Sequence, residues 1–206
     1  SSRLCPRARG WPVGPRTSSS RSARAGSSGP PPSTSDPLPA HSTPLASLAE
    51  AVARAGETSD ERELADLRRD VAEEVESSAR SADYRERAVA YRAIGQLRFN
   101  QKTELLRRGL EDESPACRGS ALLSLELLSR DHPGLVNARR PLLHSLANDD
   151  PNQAVRRLAI VCLKNGSPMA DTITLLAHLE EESDEPDLRA AAAAVQRALK
   201  KKSATR

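Results

Sequence analysis

The sequence predicts an all-α fold, a short α-solenoid of stacked helical hairpins, on three observations. Apolar residues recur at spacings of three and four through most of residues 41–200, the signature of amphipathic helices. Aromatic residues make up only 2% of the 206, so the core has to be built from Leu, Ala, Val and Ile, a composition suited to helix packing. An Arg followed three residues later by Ala returns four times at intervals typical of helical repeats.

Residues 1–40 carry six Arg against one Asp and are rich in Ser, Pro and Gly. They hold no periodic apolar face, which predicts a disordered tail. An Arg- and Ser-rich, acid-poor segment is also the composition of an organelle transit peptide, the alternative to a cytoplasmic location. Residues 41–82 read as an N-terminal helical pair. Ser42 or Thr43 caps the first helix, Pro44 lies in its first turn, Gly56 ends it, and Leu45, Leu48, Ala49 and Val52 form its stripe. The second starts after Ser59 as N-cap, with Asp60, Glu61 and Glu63 where the helix dipole favours acids. Its face is Leu64, Leu67, Val71 and Val75.

From residue 83 to about 200 the repeat takes over. "RAVA", "RGSA", "RRLA" and "RAAA" place Arg87, Arg118, Arg156 and Arg189 three residues before Ala90, Ala121, Ala159 and Ala192, with the arginines 31, 38 and 33 residues apart. Cys117, Val155 and Leu188 precede the last three arginines, and Ile94, Leu125 and Leu163 follow the first three alanines by four. An acid and a proline mark a turn before the last three helices: Asp112 and Pro115, Asp150 and Pro151, Asp184 and Pro186. After each of the first three comes a second helix closing on Leu110, Leu146 or Leu179. Residues 201–206 are left as a basic C-terminal tail.

Acid, proline, apolar residue, Arg, then Ala, with a trailing Leu-Leu helix, resembles the HEAT repeat family over residues 83–200. The resemblance implies a right-handed α-solenoid whose first helices line the convex side and second helices the concave side. It implies that Asp and Arg hydrogen-bond between units, so Arg87, Arg118, Arg156, Arg189, Asp112 and Asp150 are expected to form a structural ladder. Asp112–Arg118 and Asp150–Arg156 are the pairs best matched to the pattern.

The function classes narrow by charge and by missing motifs. The formal net charge of +3 conceals opposite parts. Residues 41–82 carry five basic against ten acidic side chains, and residues 83–199 sixteen against seventeen, so the excess lies at the two ends. A nucleic-acid footprint requires clustered positive charge on a folded face, which the body does not offer, and nucleic acid is kept only as the alternative. The longest apolar run in the body, Leu158 to Leu163, is far short of the roughly 20 residues of a membrane span. Cys5, Cys117 and Cys162 lack ligand spacing and read as free thiols, a usage suited to a reducing compartment. HEAT-like enzymes that bind iron use His-Glu pairs, whereas His41, His132, His144 and His178 are followed by Ser, Pro, Ser and Leu. Tyr84, Tyr91 and Phe99 are expected to pack between helices. No catalytic residue, cofactor or metal site is therefore expected, and an enzyme or enzyme subunit of HEAT type is the second alternative. The expected role is a scaffold or adaptor binding a protein partner, with Arg107, Arg108, Arg139 and Arg140 as contacts opposite an acidic end at Glu180, Glu181 and Glu182.

Overall fold

A computed structural model describes the backbone of residues 44–58 and 60–205. The expectations for residues 1–40, for Cys5, His41 and the Ser42 or Thr43 cap, and for Ser59 fall outside the described residues. The chain divides into two units, 1–40 and 41–206, and every described helix belongs to the second. The described residues are all-helical, without a strand.

The N-terminal part has three helices rather than two: α1 (Pro44–Glu57), α2 (Glu61–Asp70) and α3 (Ala72–Ser78). Asp60 caps α2, its carboxylate accepting the Arg62 N–H at 2.9 Å. The expected single helix bends at Val71, where φ is −108° and ψ 8°, although the Val71 N–H still reaches the Leu67 carbonyl. Leu64, Leu67, Val71 and Val75 all remain buried, so the bend redirects the stripe without interrupting it. In α1 the buried positions are Leu48, Ala51 and Ala55, spaced three and four apart. Ala49, expected on that stripe, is exposed, and Val52 is half-buried. The helix is turned by about one position relative to the expectation.

Eight helices follow: α4 (Tyr84–Gln96), α5 (Thr103–Leu110), α6 (Pro115–Ser129), α7 (Gly134–Ala138), α8 (Arg140–Asp149), α9 (Gln153–Leu163), α10 (Ala170–Glu182) and α11 (Pro186–Ala204). α4 packs on α6, α6 on α9, and α9 on α11. The helices α5, α8 and α10 pack on α6, α9 and α11 respectively. The loops inside these last pairs are short, 111–114, 150–152 and 183–185. The tight hairpins are thus closed by the acid-and-proline loops, where the repeat pattern had suggested a boundary between units. Short α7 accounts for the longer interval between Arg118 and Arg156. The expected basic tail is also corrected: α11 runs to Ala204, and Lys202 Nζ donates to the carbonyls of Asn165 (3.3 Å) and Gly166 (2.8 Å) just past α9.

Ala90, Ala121, Ala159 and Ala192 are fully buried, as are Ile94, Leu125 and Leu163. At these positions small side chains let helices approach and branched ones fill the space between them. Side chains on one helix bond to the next helix's backbone. Cys117 Sγ meets the Tyr84 carbonyl at 3.2 Å, Ser124 Oγ donates to that of Tyr91 at 2.7 Å, and Cys162 Sγ meets that of Leu122 at 3.1 Å. Cys117 and Cys162 are free and buried; burial pushes the Cys117 thiol up to about 11 and that of Cys162 higher still. Tyr91 and Phe99 pack in the core, but Tyr84 does not: it is exposed, with the Arg85 guanidinium over its ring.

Candidate functional site

Each hairpin loop is folded by the same device. A side-chain oxygen accepts the backbone N–H two residues further on: Ser81 from Asp83, Asp112 from Ser114, Asp150 from Asn152 and Ser183 from Glu185. The residue donating that N–H is the next helix's N-cap, and the repeat Arg stands four residues after the cap. A long side chain at that position reaches back over the loop. Arg87 Nη1 donates to the carbonyls of Ser81 (3.0 Å) and Ala82 (2.9 Å), and Arg118 Nη1 to those of Asp112 (2.9 Å) and Glu113 (3.0 Å). Arg189 Nη1 does the same with Ser183 at 2.6 Å.

The other edge of the guanidinium faces forward. Arg87 Nε and Nη2 grip Asp112 at 2.8 and 2.9 Å, and Arg118 Nε and Nη2 grip Asp150 at 2.7 and 2.9 Å. The expected pairs Asp112–Arg118 and Asp150–Arg156 are therefore corrected. Arg87 and Arg118 each take the carboxylate of the following loop, while their own loops offer them carbonyls. Arg156 takes no carboxylate, because the equivalent of Asp112 and Asp150 in the next loop is Ser183; Asp184 lies one residue too far along. Its Nε instead donates to the Ala147 carbonyl at 3.0 Å, near the end of α8. Burial pushes the Asp112 carboxyl up, but the Arg87 hydrogen bond, the Ser114 N–H and the Arg87 charge outweigh it and hold the group below the usual carboxylate range.

Of the four expected contact arginines, two are consumed by the fold. Arg140 is only 8% exposed and donates to Thr172 Oγ1 (2.7 Å), the Ser167 carbonyl (3.1 Å) and Asn137 Oδ1 (2.6 Å), tying α8 to the start of α10. Arg139 is half-buried, with Nη2 on the Thr103 carbonyl at 2.8 Å and Nη1 on that of Leu135 at 3.3 Å, tying the same corner back to α5. Their adjacency in sequence resembles a basic surface patch, and nothing short of the fold separates them from one. Arg107 and Arg108 are exposed on α5; Arg107 pairs with Glu104 and Glu111 of its own surface. Glu180, Glu181 and Glu182 form the last turn of α10. His144 is half-buried with Nε2 3.0 Å from Thr172 Oγ1, and burial lowers its affinity for a proton, with Arg140 adding to the effect and Asp171 opposing it. His178 is exposed.

Apolar surface features are among those that residue periodicity did not single out. Leu123 on α6 is 38% exposed. A trough between α9 and α11 is lined by Val161, Ala190, Ala191 and Ala194 together with the charged Arg157, Lys164 and Asp187. Among the described residues no group of three or more His, Cys, Asp or Glu is placed to hold a metal, and no helix is long and apolar enough to cross a membrane. The chain matches no protein-family profile and no curated protein sequence.

Proposed function

We propose that the chain is a non-catalytic protein-binding scaffold, built as a short right-handed α-solenoid of HEAT-like hairpins. The observation that carries this reading is the recurrence of one arginine geometry. Arg87 and Arg118 each close their own loop and grip the next loop's aspartate at matching distances. A repeated interaction that couples neighbouring units is what a stacked array requires, and it leaves the exposed helix surfaces for recognition. Leu123 and the α9–α11 trough, bordered by Arg157, Lys164 and Asp187, suit the apolar face of an amphipathic helix. The loss of Arg139 and Arg140 to internal hydrogen bonds argues against a basic concave face, and so against nucleic acid as the ligand.

The test is affinity capture with the full chain, comparing wild type with Leu123→Asp and Ala194→Asp, followed by reconstitution from purified components. A protein that binds wild type at micromolar strength or tighter, and both variants at least tenfold more weakly, is the expected outcome. Binding of DNA or RNA at micromolar strength in physiological salt, surviving removal of residues 1–40, overturns the reading.

A further inference from the structure

One cavity involves none of the four recurring arginines. It has a volume of about 440 Å³ and lies where α2, the segment after α4 and the C-terminal end of α6 meet. Arg68 comes from α2, Arg98 from the segment after α4, and Arg130 from the position following α6. Glu61 is shared: it pairs with Arg68 and stands 4.0 Å from Arg98 Nη1. Arg130 is held by Glu126 of its own helix. Arg68 Nη1 also donates to the Leu97 carbonyl at 3.0 Å, and a second carboxylate, Asp131, lines the cavity beside His132. The side-chain amides of Asn100 and Gln101 complete a wall able to hydrogen-bond hydroxyls.

Arg98 is the unusual member. It occupies the turn that ends α4, where the Phe99 N–H bonds back to the Ile94 carbonyl at 2.9 Å and the Arg98 N–H to that of Gly95 at 3.1 Å. That closure puts Arg98 at φ 53°, and it is the sole non-glycine residue with positive φ among the described residues. The position is one glycine fills at no steric cost, whereas arginine there is strained. Strain held at a residue whose side chain lines a cavity beside two other guanidinium groups directs attention to that side chain.

We infer that this cavity binds a small phosphorylated, hydroxyl-bearing molecule, its phosphate monoester held by Arg98, Arg68 and Arg130. A phosphate dianion offers three oxygens to donors arriving from three elements, a demand a single carboxylate cannot match. Arg98, 52% exposed and only distantly paired, is free to turn from Glu61 to the phosphate. The volume exceeds that of a bare phosphate, leaving room for a body against Asn100 and Gln101. This site is independent of the scaffold reading and can stand or fall without it.

The experiment is calorimetric titration of the full chain with glucose 6-phosphate, glucose, inorganic phosphate and a phosphoserine peptide, on wild type, Arg98→Gly and Arg130→Gln. Glucose 6-phosphate should bind saturably, with glucose at least tenfold weaker. Arg98→Gly should lower that affinity at least tenfold while raising Tm, because glycine relieves the turn; the opposite signs separate loss of a ligand group from loss of fold. Arg130→Gln should weaken binding with Tm nearly unchanged. Absence of saturable binding by glucose 6-phosphate, unchanged affinity in Arg98→Gly, or binding of the phosphoserine peptide alone overturns the assignment.

Discussion

Asp150 and Ser183 stand at the same place in successive loops, and the exchange of a carboxylate for a hydroxyl there decides what Arg118 and Arg156 do. The Asp150 side chain is 2% exposed and accepts two hydrogen bonds from Arg118, so Asp150→Ala strands a buried guanidinium. That loss should cost about 3–5 kcal/mol in urea unfolding. Arg156→Ala removes one hydrogen bond to a carbonyl and should cost about 1 kcal/mol or less. Ser183→Asp should supply the missing rung, raising the urea midpoint in the wild-type background and leaving it unchanged in Arg156→Gln. An equal effect in both backgrounds would mean that the new carboxylate does not meet Arg156. The arginines themselves were legible, since their recurrence requires only counting. Their partners were not: six residues separate Asp112 from Arg118 along the chain, while Asp150 is 32 residues away, and only the forward reach of the guanidinium favours the distant acid.

Helices were readable from apolar spacing, yet their breaks and phase were not. The stripe Leu64, Leu67, Val71, Val75 continues through the bend at Val71, so periodicity carries no sign of it. The hairpins are closed by the acid-and-proline loops because three or four residues suffice to reverse the chain there, and that choice of partner depends on packing rather than on pattern. Packing also sets the distance between α4 and α6. A Cβ added at Gly95 would sit 2.6 Å from the Ser124 Cα, against backbone that cannot swing aside. Gly95→Ala should therefore cost about 1–3 kcal/mol and lower Tm, despite the better helix propensity of alanine. Gly56→Ala is the matched control: nothing lies within 4 Å of its added Cβ, so propensity should act alone and stability should hold or rise. If both variants shift Tm in the same direction, the close approach of α4 and α6 at Gly95 is wrong.

The hydrogen bonds that join successive hairpins also make the stability of the fold depend on pH, through two groups with separable ranges. His144 bonds to Thr172 between α8 and α10, and its affinity for a proton is lowered by burial and by Arg140. The folded chain thus binds fewer protons than the unfolded one below about pH 6.5, the ordinary histidine value, and His144's contribution, complete above that pH, is lost as pH falls toward its folded value. Asp112 bonds to Arg87 between hairpins, and its carboxyl is held below the usual range. Its contribution is complete above about pH 4 and is lost as pH falls further, through the folded value. Urea midpoints measured from pH 8 to pH 3 should fall in two stages. His144→Gln should flatten the first, because glutamine has no proton to gain there. Asp112→Asn should lower the midpoint at neutral pH, where the charged pair is lost, and flatten the second stage. The Arg140 charge beside His144 opposes its protonation. A single transition near pH 4 in wild type and in His144→Gln alike would show that His144 titrates as freely in the folded chain as in the unfolded one, and would remove it from the contacts that hold α8 against α10.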